Sequence, residues 1–392
     1  MSLVLSAFLI IVYTLHGISP SSPNDATANH DNDAVAVHRL LSSVVASDVI
    51  PNVDINAYDY LIIHYHKTGH EVAYSLTGRI KDDGTMRHYF KTVRHDPLLK
   101  RDHDQMTKCP RVELKLGMLN VQAAPDFFCH VNVLAEELLH GSTKKRGIKI
   151  IHLVRNPFRL AVSNYKYHSQ FPTPERWVKG LDVCRAVEEP INWPELLMPT
   201  LGVNGVMRYE DFDSILALCH SLFRTRAGLE QADFYTHLMK LDPLEGLFLA
   251  TTHMMRGRVG DIARMASNII KLEELQQLEV QVNIAQHHLL PEKRIQVLTL
   301  AMEEFTERPK ETAMHFFDFL LRDPLLAEAK ENMATEYERG YLELKDKGNS
   351  DHITMGSSDN AMLEATLREH DLFGRILGNI ERVVDDVLAG SK

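Results

Sequence analysis

Two segments that lie far apart in the chain share one pattern: an apolar run that ends abruptly in a polar turn and then continues as a helix. The first segment is Asp59–His70 and the second is Ile150–Tyr165. This pattern is typical of a strand followed by a turn and a helix. In an open α/β sheet, ligands bind where strands end and helices begin, and the helix N-termini there favour anions. Two such units with cationic turns therefore predict a site for the phosphates of a nucleotide.

The rest of the chain alternates predicted strands with predicted helices. This alternation predicts an α/β fold, a three-layer sandwich in which a central parallel sheet has helices on both faces. The predicted strands are Tyr58–His64, Val112–Leu116, Ile148–Val154, Gly205–Tyr209 and Val297–Leu300. The predicted helices are His70–Arg79, Val131–Leu139, Pro157–His168, 209–223, Ile262–Leu289, Pro309–Leu321, Pro324–Leu344 and a closing amphipathic helix around Phe373–Val387. The long pattern over Ile262–Leu289 indicates a core-facing or lid helix, and a coiled coil that forms a homodimer is the alternative.

The N-terminus carries an apolar run, Leu3–Leu15, followed by a stretch rich in Ser, Pro and Asn. A run of about 13 residues is short for a membrane span, which needs about 20, but it suits the core of a signal peptide. We therefore predict a signal peptide or short signal-anchor over residues 1–19, a linker or stem over 20–51, and one folded domain over 52–392. A mistaken gene start and a buried N-terminal helix are the alternatives.

Charge and cysteine content narrow the classes of function. The chain of 392 residues has a net charge of −10, which argues against a general nucleic-acid surface, so an anion site must be a local basic pocket. The four cysteines permit two disulfides, and free buried thiols are the alternative; their spacing matches no metal motif. These cysteines are Cys109, Cys129, Cys184 and Cys219.

Lys67 lies in the first turn, followed by Thr68 and Gly69. A lysine there can place its ammonium beside a phosphate or sulfate while helix N–H groups bind the oxygens. A Walker A motif would need glycine six residues and one residue before the lysine. Leu61 and His66 occupy those positions, so an ordinary nucleoside triphosphatase is disfavoured.

Arg155 and Ser163 belong to the second segment. Arg155 follows the carboxyl end of the predicted strand, and Ser163 lies six residues past Pro157, about 9 Å along the helix axis. A long arginine and a hydroxyl that faces back toward it can clamp one phosphate between them.

Together the two segments resemble the 5′-phosphosulfate loop and the 3′-phosphate segment of sulfotransferases that use 3′-phosphoadenosine 5′-phosphosulfate (PAPS). The second segment matches in order and spacing: an apolar strand, Arg155, Asn-Pro, and Ser163 eight residues after the arginine. A late strand followed by acidic residues and Phe also resembles the family, and two segments compete for that match, Val297–Phe305 and Val206–Phe212. The resemblance implies a P-loop NTPase-like topology and a sulfotransferase domain over 52–392.

The resemblance also implies roles for individual residues. Lys67 would touch the bridging oxygen and the transferring sulfuryl group, and Thr68 with the Gly69 and His70 backbone would contact the 5′-phosphate. Arg155 and Ser163 would hold the 3′-phosphate. Sulfuryl transfer resembles phosphoryl transfer, in which positioning and cationic stabilisation do most of the catalysis, and this scheme requires no metal.

Two residues depart from the family pattern. His70 and Glu71 stand where the family loop continues with hydroxyl residues, and a carboxylate such as that of Glu71 beside a bound phosphate is unfavourable. Thr68 to Glu71 also has the pattern of a capping box, which would turn Glu71 back to the Thr68 N–H and away from the ligand. A catalytically inactive sulfotransferase-like binding protein is therefore the alternative function.

A general base must take the proton of the acceptor, and the sequence offers several candidates near the first turn. We consider Asp126, His66 and His70, with Glu113 as a further candidate. Two late loops are candidates for closing over the nucleotide, His352–Asp359 and Arg256–Asp261.

The resemblance implies a hydroxyl or amine acceptor, either a small molecule or a carbohydrate. An entry signal would place the protein in the secretory pathway, in the Golgi lumen or membrane, and a lumenal location favours a carbohydrate. A cytoplasmic location is the alternative.

Overall fold

Five parallel strands form the sheet that carries the two segments. The computed structural model describes residues 58–82, 92–95, 118–123, 147–170, 193–224, 234–256, 261–285, 295–321, 326–346 and 358–390. Within these ranges the strands are β1 (Tyr58–His64), β2 (Thr92–His95), β3 (Met118–Ala123), β4 (Gly147–Val154) and β5 (Ile295–Ala301). Their order in the sheet is β2-β3-β1-β4-β5. β1 is central: Ile62 lies opposite Val121 of β3 and Ile151 of β4.

Helices make up most of the remaining described residues. Two of them follow the strands of the predicted phosphate segments directly: α1 after β1 and α2 after β4. The helices are α1 (His70–Asp82), α2 (Pro157–Gln170), α3 (Trp193–Leu201), α4 (Tyr209–Arg224), α5 (Phe234–Lys240), α6 (Pro243–Arg256), α7 (Asp261–Ala285), α8 (Met302–Glu307), α9 (Pro309–Leu320), α10 (Ala327–Asp346), α11 (Ser358–Glu369) and α12 (Asp371–Gly390).

Two hydrophobic clusters form the core, one on each face of the sheet. Successive side chains of a strand point to opposite faces, so Leu61 and Ile63 join one cluster while Tyr60 and Ile62 join the other. The first cluster contains side chains of α2, α6, α7 and α12, and the second contains side chains of α1, α9 and α10. Burial on both faces explains why β1 and β4 are apolar almost throughout, as is typical of parallel sheets.

Lys149 is a charged residue inside the apolar strand β4, and the fold accommodates it at a helix end. Its ammonium donates to the carbonyl of Phe319 at 2.8 Å and to that of Leu320 at 3.4 Å. These are the last two residues of α9, where carbonyls lack partners within the helix and a cation is favourable. A lysine in the middle of the strand is therefore compatible with a fully buried sheet.

Most of the predicted elements are present. β1 has the predicted ends, β4 begins one residue earlier than predicted, and α1 extends three residues further, to Asp82. The closing helix α12 is amphipathic as predicted, and its buried apolar side chains are Phe373, Ile376, Leu377, Ile380 and Val384. Every residue of α7 from Asp261 to Ile270 is buried, as expected for a core-facing helix. The α/β prediction is confirmed.

Two predictions about local structure are wrong. The predicted strand Gly205–Tyr209 is a turn: Gly205 has a φ of +66°, which a strand does not adopt, and the Arg208 N–H donates to the Asp211 carboxylate at 2.8 Å. The stretch at Trp193-Pro194, interpreted as a loop, begins α3, because proline is compatible with a first helical turn.

The remaining predictions of elements fall on residues that are not described. They include the strand Val112–Leu116, the helix Val131–Leu139, and everything N-terminal to residue 58. The described residues all belong to one compact unit, Val53–Lys392, and the other unit, Met1–Asn52, lies outside them. Among the described helices, none is both long and apolar enough to cross a membrane. The predicted boundaries at 19 and 51 stay predictions.

The buried face of α12 generates a stability prediction. Leu377 is fully buried, whereas Asp386 is exposed on the same helix. We expect Leu377→Ala to lower the free energy of unfolding by about 2–5 kcal/mol, because it leaves a cavity in the core. The matched change Asp386→Ala should stay within about 0.5 kcal/mol of the wild type. Urea unfolding followed by circular dichroism measures both, and equal effects would contradict the packing of α12.

Candidate active site

The turn after β1 has a tightly defined backbone. The Thr68 N–H donates to the Tyr65 carbonyl at 2.9 Å, and the Tyr65 N–H donates to the Thr68 carbonyl at 3.3 Å. Lys67 between them has a φ of +57°, in the left-handed region that non-glycine residues rarely adopt. The predicted turn is therefore present, and it holds Lys67 in an unusual conformation at the carboxyl end of β1.

Gly69 is required where the turn enters α1. Its φ is +81°, and a Cβ built there would lie 2.6 Å from Leu153 Cδ1 and 2.9 Å from Met302 Sδ. The first helical hydrogen bond follows at once, from the Ala73 N–H to the Gly69 carbonyl at 2.7 Å. The φ value disfavours a larger residue at this position, and an added Cβ would force the side chains of Leu153 and Met302 to shift.

Arg155 joins the two segments. β1 and β4 are parallel neighbours, so their carboxyl ends meet at one edge of the sheet. The guanidinium Nη1 of Arg155 donates to the Lys67 carbonyl at 2.9 Å. The structure thus brings Lys67 and Arg155 together, as expected for two halves of one site.

Glu303 places a negative charge beside this guanidinium. Its Oε1 lies 3.9 Å from Arg155 Nε and 4.0 Å from Arg159 Nη1. Burial lowers the pKa of the Arg155 guanidinium, and the charge of Glu303 opposes that shift. An anion that enters this region therefore meets two arginines that are already partly neutralised by one carboxylate.

Asn156 caps α2 and occupies the N–H groups at its start. The Oδ1 of Asn156 accepts from the Phe158 N–H at 3.1 Å and from the Arg159 N–H at 3.2 Å. These are N–H groups that a helix N-terminus would otherwise offer to an anion. Phosphate binding by this segment would therefore depend on side chains rather than on the capped amides.

Ser163 lies on α2 and is buried. The predicted clamp of Ser163 and Arg155 around one phosphate stays a prediction. Within the first turn, Thr68 and Gly69 are also buried, while Lys67 is partly exposed and His70 is exposed. A ligand that approaches this turn would meet Lys67 and His70 first.

The ammonium of Lys67 lies over an aromatic ring of α2. Its Nζ is 2.6 Å from the centroid of the Tyr167 ring. The same ring contacts His66 at a centroid distance of 6.4 Å and His168 at 5.1 Å, both edge to face. The resemblance did not single out Tyr167, although its place one turn of helix after Ser163 put it on the same face of α2.

Buried histidines surround the turn. The rings of His66 and His168 are stacked, 5.3 Å apart. Burial lowers the pKa of His66 well below its usual value, and nearby His168 and Lys67 lower it further. Burial also lowers the pKa of His168 to about 3 and that of His253 to about 4. These imidazoles are therefore neutral near pH 7, and His66 as a base would be able to accept a proton but would be weakly basic.

The other candidate general bases are His70, Asp126 and Glu113. His70 is exposed at the start of α1, with its Nδ1 3.4 Å from Nε2 of His64 and its ring against Tyr74. Asp126 and Glu113 lie outside the described residues. The choice among these candidates therefore stays a prediction. Within the described ranges, no group of three or more His, Cys, Asp or Glu residues is placed to hold a metal ion.

Asp261 binds the backbone of the turn at His66. Its Oδ2 accepts the His66 N–H at 2.7 Å, and its Oδ1 lies 3.7 Å from Nη1 of Arg264; all three groups are at least partly buried. Burial raises the pKa of the Asp261 carboxyl to about 7, against the opposing effects of Arg264 and the His66 N–H. Sequence reasoning missed this role, since the only available signal was an aspartate in the first turn of a helix.

Tyr65 links the turn to neighbouring elements through its hydroxyl. Its hydroxyl lies 2.6 Å from Nε2 of His152 and accepts a hydrogen bond from the Asn268 amide at 2.9 Å. Burial lowers the pKa of His152 to about 3, so the imidazole is neutral and can accept the hydroxyl proton. The network links the turn after β1 with β4 and α7.

The predicted capping box is wrong. The Thr68 N–H is donated to the Tyr65 carbonyl and not to Glu71. Glu71 is instead exposed in the first turn of α1, where solvent screens its charge. The structure thus does not turn Glu71 back as expected, but it places the carboxylate in solvent.

The two late segments that compete for the same match differ in structure. Val297–Phe305 contains most of β5, which pairs with β4, and it brings Glu303 beside Arg155. Val206–Phe212 contains no strand, and its Asp211 is bound to the guanidinium of Arg375 at 2.7 and 3.0 Å. The strand position therefore favours Val297–Phe305. Of the candidate closing loops, residues 257–260 and 352–357 lie outside the described residues.

Cys219 is a disulfide-bonded cysteine in α4. Its partner lies outside the described residues, because the other three cysteines are not described. For this cysteine the structure supports a disulfide rather than a free thiol.

One family model matches part of the chain. The family model of the sulfotransferase domain matches residues 57–199, just over a third of the chain. The match spans β1, the Lys67 turn, β4 and α2, so the predicted resemblance is confirmed over this stretch. No curated protein and no solved structure gave a significant match.

The raised pKa of Asp261 generates a prediction about stability and pH. The carboxyl holds its proton to about pH 7 when folded but releases it near pH 4 when unfolded. Between these values the folded state binds more protons, so the contribution of Asp261 to the free energy of unfolding falls as pH rises, by at most about 1.4 kcal/mol per pH unit. Asp261→Asn should remove this component.

Urea unfolding between about pH 5 and about pH 7 measures the difference in slope between wild type and variant. The buried histidines, whose lowered pKa values act in the opposite direction, remain in both proteins and cancel in the comparison. Asp213→Asn, an exposed aspartate on α4, is the matched control and should keep the wild-type slope. An unchanged slope in Asp261→Asn would show that this carboxyl does not titrate in the window.

Proposed function

We propose that this protein transfers a sulfuryl group from PAPS to a hydroxyl or amine acceptor. One observation carries the proposal: the Arg155 guanidinium donates to the Lys67 carbonyl, so the two predicted phosphate segments lie in contact with each other. The family match over residues 57–199 includes both segments and supports a transferase of this class.

The arrangement of the sheet supports a three-layer fold with P-loop NTPase-like topology. β1 is central, with β3 on one side and β4 on the other, and each face of the sheet carries one helix-packed cluster. In such folds a ligand binds beyond the carboxyl ends of the strands, where the Lys67 turn and Arg155 lie.

In the proposed reaction the acceptor oxygen or nitrogen attacks the sulfur of PAPS, and the bond from sulfur to the 5′-phosphate oxygen breaks. A base takes the acceptor proton, and 3′-phosphoadenosine 5′-phosphate leaves with the bonding electron pair. Lys67 would stabilise the charge that develops on the leaving oxygen. Arg155 and Ser163 would hold the 3′-phosphate and so fix the nucleotide for in-line attack.

A disulfide at Cys219 supports a location in the secretory pathway, since disulfides persist in oxidising compartments. We propose the Golgi lumen or membrane, with a carbohydrate as the acceptor. A small-molecule acceptor in the cytoplasm is the competing proposal. Reduction of the protein followed by thermal unfolding tests the disulfide on which the choice of compartment rests. A large loss of stability on reduction favours the oxidising compartment.

The central test is sulfate transfer by a Lys67 variant. We expect the wild type to transfer labelled sulfate from PAPS to at least one member of a panel of phenols, primary amines and saccharides. Lys67→Ala should lower kcat by about a hundredfold or more, because a cation that stabilises developing charge contributes about 3–4 kcal/mol. The matched control is Lys81→Ala, at the far end of α1, which should leave transfer unchanged.

Calorimetry with 3′-phosphoadenosine 5′-phosphate separates the alternatives. Binding without transfer to any acceptor would favour an inactive binding protein. Absence of binding by folded protein would reject the proposed function, and preference for ATP with Mg²⁺ would indicate a kinase or NTPase instead. If Lys67→Ala binds the nucleotide and transfers sulfate as well as the wild type does, only the proposed role of Lys67 is rejected, and the proposed function stands.

The 3′-phosphate clamp has its own test. We expect Arg155→Gln to weaken binding of 3′-phosphoadenosine 5′-phosphate by about tenfold to a hundredfold, as for a lost charge-assisted hydrogen bond of about 1.5–3 kcal/mol. Binding of adenosine 5′-phosphate, which lacks the 3′-phosphate, should change much less. Ser163→Ala should also weaken binding of 3′-phosphoadenosine 5′-phosphate more than binding of adenosine 5′-phosphate, but by a smaller factor than Arg155→Gln.

Arg79→Gln, which removes a surface ion pair with Glu336, is the control for loss of a positive charge. If Arg155→Gln weakens both nucleotides equally, Arg155 acts through the Lys67 turn and not on the 3′-phosphate.

A further inference from the structure

We infer that Tyr167 is a positioning residue that holds the ammonium of Lys67 at the place where sulfuryl transfer occurs. The inference rests on the proposed function. Its starting point is the position of Lys67 Nζ over the ring of Tyr167, 2.6 Å from the centroid.

The backbone of Lys67 is held by groups from two other elements. On one side Asp261 of α7 accepts the N–H of the preceding residue, His66, and on the other Arg155 donates to the carbonyl of Lys67 itself. The hydrogen bonds between Tyr65 and Thr68 close the turn around it. The Cα of Lys67 is therefore well fixed, and the position of its ammonium depends on the side chain.

The lysine side chain has four rotatable bonds, so a fixed Cα alone does not place the charge. An aromatic face attracts an ammonium through the negative face of its π system, and tyrosine is among the rings suited to this contact. Tyr167 supplies such a face at the end of the Lys67 side chain. The ring thus restricts the position of an ammonium that the flexible side chain would otherwise leave variable.

The ring is itself held in place. Tyr167 lies on α2, and its ring makes edge-to-face contacts with His66 and His168. His168 is anchored in turn, since its Nδ1 lies 3.0 Å from the Asn164 carbonyl of the same helix. The histidines that surround the turn thus support the position of the ring.

A neutral ring suits a catalytic lysine better than a carboxylate would. A carboxylate would cancel the positive charge that the leaving oxygen needs, whereas the ring attracts the ammonium and leaves its charge intact. Tyr167 therefore places Lys67 without neutralising it.

Two substitutions separate the ring from its hydroxyl. Tyr167→Phe keeps the aromatic face, and Tyr167→Leu removes it while keeping an apolar side chain. We expect kcat for sulfate transfer to fall about tenfold in Tyr167→Leu and to stay within about twofold of the wild type in Tyr167→Phe. Affinity for 3′-phosphoadenosine 5′-phosphate should change little in either, because other groups hold the phosphates.

A second measurement reads the lysine contact without requiring transfer. The wild type and both variants are treated briefly with acetic anhydride, and modification of Lys67 is followed by mass spectrometry. We expect Lys67 to be modified several-fold faster in Tyr167→Leu than in the wild type, since the covering ring is gone, and Tyr167→Phe should match the wild type. Modification of Lys81 is the internal control within each protein.

The outcomes distinguish this inference from the proposed function. Unchanged kcat and unchanged modification in Tyr167→Leu would overturn the inference while leaving the proposed function intact, and an equal loss in both variants would assign the effect to the hydroxyl and also overturn it. If the wild type neither binds the nucleotide nor transfers sulfate, the proposed function fails and the catalytic role of Tyr167 fails with it. The rate of modification then shows whether the lysine contact itself is correct.

Discussion

The parallel pairing of β1 with β4 is the constraint on which the candidate site depends. Because Ile63 lies opposite His152, the two strands end side by side at the same edge of the sheet. That alignment places the Lys67 turn within reach of the Arg155 guanidinium. A slip of this register would separate the two segments and turn their apolar side chains to the wrong faces. The hydrophobic core thus fixes the geometry of the polar site.

The site is surrounded by polar groups that are expensive to bury. His66, His168 and His253 remain neutral, and Asp261 and Arg264 lie together under the turn. Removing such groups from water costs free energy that hydrogen bonds and ion pairs only partly recover. The result is a turn whose backbone is held by Asp261 and Arg155, with Lys67 in the left-handed conformation. A cluster of buried polar groups with a high desolvation cost is typical of a functional site rather than of a hydrophobic core.

Sequence patterns predicted the elements that follow local rules. β1, β4, α1, α2 and the closing helix have strong apolar periodicity and clear ends, and each is present in the structure. The errors occur where local rules compete: Gly205 breaks an apparent strand, and the Thr68 N–H finds the Tyr65 carbonyl instead of the Glu71 side chain. β2 and β3 were not predicted, because short strands carry little periodicity.

The sequence by itself determined that two strand–turn–helix units carry Lys67 and Arg155, because apolar periodicity and the lysine and arginine spacing are local properties. Only the tertiary structure decided what surrounds them. Asp261 meets His66 across 195 residues, and Tyr167 meets the Lys67 ammonium through the packing of α2 beside the turn. Contacts of this kind depend on the sheet order and on the packing of helices against it, which no local pattern encodes.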